Sequence, residues 1–122
     1  MKKVIVLICF LFILVGCGEK KEEDIMINKV SCNEAKDLIK EGAILIDVRE
    51  IDEYNENHLD DAINISYTVI GDKISEYVTD FNTKIIVYCK SGGRSNKAAN
   101  TLKNKGYKNI YDLGSINNCI NN

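Results

Sequence analysis

The chain of 122 residues contains no proline, one histidine and, among its sixteen basic side chains, only two arginines, Arg49 and Arg94. Without proline, its turns must rest on Gly, Asn, Asp and Ser. With His58 alone, and no second ligand at metal spacing, a histidine-based metal centre is excluded. Two arginines and no basic stripe exclude a nucleic-acid partner. Internal repeats are absent too. The longest apolar run, Val4 to Val15, has twelve residues, too short to cross a hydrocarbon layer of ~30 Å comfortably as a helix.

That run has its own meaning. Lys2 and Lys3 precede it, and it closes in Leu14-Val15-Gly16-Cys17. A basic start and a short apolar core fit a secretory signal. The ending resembles the lipobox of bacterial lipoproteins, which implies that residues 1–16 are removed and Cys17 is lipidated. An uncleaved membrane anchor is the alternative. Gly18 to Asp24 carries six charges in seven residues and is expected to be a solvated tether. Residues 17–24 would then hold residues 25–122 on a membrane, facing outside the cytoplasm. Losing Lys2 and Lys3 makes the formal net charge of −2 more negative.

About one hundred residues remain, enough for one domain with one core. Of the five cysteines, Cys17 goes to lipid in this scheme. Cys32, Cys89 and Cys119 then make an odd set, unlike a disulfide framework.

Strand and helix patterns alternate along this part. Ile25-Met26-Ile27 predicts a short strand. Ser31 and Glu34 have capping-box spacing, opening a helix with Ala35, Leu38 and Ile39 on one face that ends near Gly42. Ala43 to Ile46 predicts a strand buried on both faces. A helical turn is expected over Ile51 to Asn57, a strand over Ala62 to Ile65 and a helix over Ile70 to Val78. A strand over Ile85 to Cys89 follows, then a helix from Ser95 to about Lys105 stopped by Gly106, and a last strand over Asn109 to Leu113. Such alternation predicts an α/β domain with a mostly parallel central sheet of about five strands flanked by helices.

Chemistry concentrates where the fourth strand ends, in Cys89-Lys90-Ser91-Gly92-Gly93-Arg94-Ser95. Strand, glycine loop and helix N-terminus gather backbone N–H groups into an anion cradle. A thiol at its mouth, near a helix dipole, Lys90 and Arg94, is stabilised as a nucleophilic thiolate. The plain alternative is a buried cysteine before an ordinary turn.

Taken together, these motifs resemble the single-domain rhodanese-like sulfurtransferases. Leu45-Ile46-Asp47-Val48-Arg49-Glu50, then Glu53-Tyr54 with His58-Leu59 and Ala62-Ile63-Asn64-Ile65, then the Cys89 loop, then Gly106-Tyr107 with Ile110-Tyr111-Asp112-Leu113-Gly114 occur in the family's order. The resemblance implies that Cys89 attacks the outer sulfur of a donor such as thiosulfate, holds it as a persulfide and passes it to a thiol acceptor, which could be a protein. Substrate would lie against Lys90, Ser91, Gly92, Gly93, Arg94 and Ser95, with Arg94 closing the loop. No metal or organic cofactor is implied. Asp47 and Arg49 would be supporting residues, Asp47 accepting loop N–H groups and Arg49 pairing with an acid such as Glu53.

Phosphatases built on a related fold place five residues between cysteine and arginine; here four intervene, a tighter cradle suited to sulfur. The chain also departs from the family pattern. Asn57 stands where glycine is usual, as a residue tolerant of left-handed backbone. Asp60-Asp61 replaces a proline-glycine pair, and Cys119 occupies a tryptophan position. Cys119 therefore raises a second function, a thiol-disulfide cycle with Cys89, while Cys32 is expected to be inert. A non-catalytic rhodanese-like binding module is the third possibility.

Overall fold

The computed structural model describes residues 25–120; the leader, Cys17 and tether expectations lie outside them. The elements run β1 (Ile27–Lys29), α1 (Cys32–Lys40), β2 (Ile44–Asp47), α2 (Ile51–Glu56), β3 (Ile63–Asn64), α3 (Ile70–Lys73), a 3₁₀ turn (Ile74–Glu76), β4 (Lys84–Cys89), α4 (Gly93–Lys105), β5 (Asn109–Ser115) and α5 (Asn117–Ile120). The five strands pair in the order β1-β5-β4-β2-β3, every pair parallel. Parallel neighbours need crossovers, which the helices supply. The expected α/β architecture is therefore present.

After Lys84 the middle strand, β4, is continuously apolar because both its faces are covered. Period-two alternation sends Ile85, Val87 and Cys89 to one side and Ile86 and Tyr88 to the other. The first side packs with Ile70 of α3 and with Ala98, Ala99 and Leu102 of α4. The second packs with Ala35 of α1, Leu113 and Ile116. Cys89 thus points to the face on which α4 begins.

Local signals explain most boundaries. Ser31 Oγ accepts from Glu34 N–H at 3.2 Å while Glu34 Oε1 accepts from Ser31 N–H at 3.1 Å, completing the capping box. Gly106 ends α4 at φ +105. The helix expected over Ile70 to Val78 is instead one α turn followed by a 3₁₀ turn. Ile70, Ile74 and Val78 are buried and Tyr77 is exposed, and Gly71 and Asp72 add little helix propensity to hold a regular α form. Helix α4 begins at Gly93 rather than Ser95, with Gly92 as its N-cap.

Backbone strain also falls elsewhere than expected. Asn57 is extended, at φ −166 and ψ 153, because its carbonyl turns to accept from Arg49 Nη2 at 2.7 Å. The left-handed residue of this connection is Asp61, at φ +66.

Candidate active site

The loop after β4 is fixed from three directions. From within, Gly92 adopts φ +106, a conformation that favours glycine, and its N–H reaches Cys89 Sγ at 2.9 Å. Ser95 is buried at the start of α4, and its hydroxyl donates to Gly92 O at 3.0 Å.

From β5 comes the second support. The pairing of β4 with β5 shifts register between Val87, opposite Asp112, and Tyr88, opposite Gly114. Asp112 Oδ1 accepts from Gly114 N–H at 2.9 Å, and Gly114 takes φ +77. The extra residue carries the strand beyond Leu113 and sets Ser115 beside the loop. Ser115 Oγ then donates to Lys90 O at 2.6 Å, and Ile116 N–H donates to Cys89 O at 2.8 Å.

The third support is Glu53 of α2. Its carboxylate takes a bidentate pair from Arg94, Nη1 to Oε1 at 2.6 Å and Nη2 to Oε2 at 2.9 Å. Arg94 therefore closes the loop, but the fork of donors offered to an anionic donor is engaged by Glu53. The Arg94 hydrogen bonds hold the Glu53 carboxyl down at about 2. Nothing in the sequence pairs these residues, which lie 41 apart; only the placement of α2 over the loop does so.

Burial of Cys89 alone would push its thiol up, yet the thiol is lowered. The amides of Ser95, Gly92 and Ser91 stabilise its anion and outweigh desolvation. The Ser95 hydroxyl has one proton, already given to Gly92 O, so the three amides carry the effect. Lys90, Ser91 and Gly93 are exposed, Gly92 and Arg94 half-buried, and Cys89 fully buried. The thiol lies at the floor of the cradle, not on an open surface.

Asp47 and Arg49 hold the end of β2. Asp47 accepts from Arg49 N–H at 2.9 Å and Nε at 3.0 Å, and from Nη2 at 2.7 Å. Arg49 thus pairs with Asp47 and not, as its sequence position suggested, with Glu53. Its guanidinium lies 5.9 Å over the Tyr88 ring, whose hydroxyl accepts from Leu59 N–H at 3.1 Å. His58 stacks on Tyr54, and its Nδ1 lies 2.9 Å from Tyr54 O, a turn-holding role.

The cysteine expectations need correction. Cys119 is bonded to Cys32, with Cα atoms 5.2 Å apart. Cys32 is not an inert free thiol, and a Cys89–Cys119 exchange pair is not formed. Among the described residues Cys89 is the free cysteine. The odd count hid this, because it comprised one bridge and one free thiol.

Comparison with known proteins agrees with this geometry. The family model for the rhodanese-like domain matches residues 31–120. Thiosulfate sulfurtransferase PspE of Escherichia coli is 34% identical over 71 residues, which are 58% of this chain and 68% of that one. Thiosulfate sulfurtransferase GlpE of Coxiella burnetii is 35% identical over 91 residues, 72% of this chain and 81% of the other. Among solved structures, a rhodanese with anions from E. coli superposes with a TM-score of 0.61 at 31% identity, covering 63% of this chain and 91% of that one. With a buried thiol held by amides at the end of the middle strand of a parallel sheet, the chain belongs to the rhodanese-like domain family, as a rhodanese-like sulfurtransferase.

Proposed function

We propose that the protein moves sulfane sulfur from thiosulfate or a persulfide donor to a thiol acceptor through a persulfide on Cys89. The observation that carries this reading is the free Cys89 thiol at the floor of an amide cradle, with Gly92 N–H at 2.9 Å from its sulfur. The thiolate attacks the donor's outer sulfur. The new S–S bond forms as the donor's own bond to that sulfur breaks, and the donor leaves with the electron pair. A thiolate acceptor then attacks the outer sulfur and returns Cys89 as a thiolate.

Burial limits what enters. A donor delivers a terminal sulfur atom past the exposed rim of Lys90, Ser91 and Gly93. With Arg94 charge-balanced by Glu53, Lys90 and the positive end of the thirteen-residue α4 are left to attract an anion. A buried sulfur held by amides also suits a persulfide, whose anion accepts from the same donors.

The ending Leu14-Val15-Gly16-Cys17 supports a lipid anchor on Cys17, which would place this chemistry at a membrane surface outside the cytoplasm. Metabolic labelling with a fatty-acid probe tests that part: label on the wild type and none on Cys17→Ser is expected, and an unlabelled wild type contradicts it. For the transfer itself, sulfur passage from thiosulfate to cyanide is assayed with wild type and Cys89→Ser. Activity in the wild type alone is expected; activity surviving in Cys89→Ser overturns the assignment to Cys89, and none in the wild type with several donors overturns the reading in favour of a binding module.

A further inference from the structure

The Cys32–Cys119 bridge sits in a place that a mere staple would not require. Both cysteines line a surface groove of about 490 Å³, together with Ala35, Ile39, Leu45, Leu59 and Leu113. Lys36, Lys40, Asp60 and Asp61, all exposed, line it as well. Cys119 is half-buried, whereas Cys32 is 3% exposed.

The bridge is also connected to the active loop. Cys119 lies in α5, a helix of four residues, too short to hold itself without outside support. Its N–H donates to Ile116 O at 3.0 Å, and Ile116 N–H donates to Cys89 O at 2.8 Å. Two hydrogen bonds therefore join the bridge to the backbone of the reactive cysteine. Alongside, Asn118 Nδ2 donates to Leu113 O at 2.8 Å and Asn117 N–H to Ser115 Oγ at 3.1 Å. Ser115 in turn holds Lys90 O. The far end of the bridge is anchored in α1, on the side of the sheet opposite α4.

We propose that Cys32–Cys119 is a second redox site, which exchanges with a dithiol through this groove, and that its state sets the order of the Cys89 loop. The chemistry balances with a dithiol as the two-electron donor. A thiolate of the dithiol attacks the Sγ of Cys119, the more exposed of the two residues. The Cys32–Cys119 bond breaks as a mixed disulfide forms, and Cys32 leaves as a thiolate. That leaving group lies at the first residue of the nine-residue α1, where the helix N-terminus stabilises an anion. Lys36 is one turn further on and lines the same groove. The second thiol of the dithiol, deprotonated, then attacks its own mixed-disulfide sulfur, closing the dithiol's disulfide and releasing the Cys119 thiolate. The two protein thiolates take up the two protons that the dithiol gave up.

Reduction removes the covalent link between α5 and α1. Helix α5 then keeps its packing and its hydrogen bonds but no covalent tie, and the Ile116 and Ser115 contacts to the loop open more often. Transfer at Cys89 slows while the sheet and α4 stay folded. This rests on the sulfurtransferase reading for its activity readout alone; the exchange readout below does not need that activity.

The full chain is treated anaerobically with dithiothreitol, desalted, and compared with the oxidised chain and with Cys32→Ser/Cys119→Ser. Peptide masses after alkylation report which cysteines are free. Hydrogen exchange reports the Ile116 and Gly92 amides, and circular dichroism reports the fold. The expected result is reduction of Cys32–Cys119 in the folded protein, exchange at Ile116 about ten-fold faster, and slower sulfur transfer in both the reduced chain and the double variant. Four results would overturn the proposal: a bridge that resists dithiothreitol until the chain unfolds, global unfolding on reduction, unchanged exchange at Ile116, or transfer that is measurable and identical in both states. Absence of transfer in either state, with exchange at Ile116 accelerated, removes the sulfurtransferase reading and leaves the redox site standing.

Discussion

Replacing Glu53 with Gln removes one charge and almost no volume from the clamp on the active loop. The Gln oxygen accepts one of the two hydrogen bonds from Arg94 and its Nε2 group cannot accept the other, so Arg94 keeps a neighbour but loses its counter-charge. The carboxyl, held from its ordinary value of 4.5 down to about 2, sets a ceiling of about 3 kcal/mol on the pair. Side chains 27% and 30% exposed let solvent screen much of that, so the expected loss is about 1–2 kcal/mol near neutral pH. A carboxyl depressed in the folded state stabilises the fold above its unfolded value and loses that contribution as pH falls through its folded one. The gap between wild type and Glu53→Gln is therefore constant from about pH 7 down to about pH 5 and shrinks between 4.5 and about 2. Urea unfolding at about pH 7, 5 and 3 measures it. A gap absent at neutral pH, or undiminished at the most acid point, would refute the clamp.

Other consequences follow from the same contacts. The rate of Cys89 alkylation against pH should show a midpoint below the ~8.5 of a free thiol; a midpoint above it would mean that burial prevails over the amides. Gly92→Ala forces a side chain into φ +106 and should cost about 1–2 kcal/mol in urea unfolding, with the alkylation midpoint moving up as the amide leaves the sulfur. Asp47→Asn leaves the Arg49 charge buried beside a neutral group and should cost about 3–5 kcal/mol, far more than Glu53→Gln; equal losses would contradict the buried pair's isolation from solvent.

What the sequence disclosed, and what it did not, divides along physical lines. The strand Ile85 to Cys89 was legible because a strand buried on both faces is continuously apolar, and its glycine loop because left-handed backbone at Gly92 needs glycine. The capping box at Ser31 is local and was equally visible. Pairings set by tertiary placement were not. Nearness in sequence points Glu53 to Arg49, but α2 presents it to Arg94. The Cys32–Cys119 bridge spans 87 residues, and no spacing rule reaches that far. The support of the loop by Ser115 and Ile116 depends on a register shift at Val87 and Tyr88, which leaves no compositional mark. Asp61, not Asn57, takes the left-handed turn because Arg49 claims the Asn57 carbonyl.

The central claim is that Cys89 carries sulfur. Intact-mass analysis of the protein after exposure to thiosulfate and removal of the excess, followed by peptide mapping, tests it directly. One added sulfur atom, located on Cys89 and absent from Cys89→Ser, is the expected result. An unchanged mass with thiosulfate and with small-molecule persulfides, or the added sulfur on Cys32 or Cys119 instead, would contradict it.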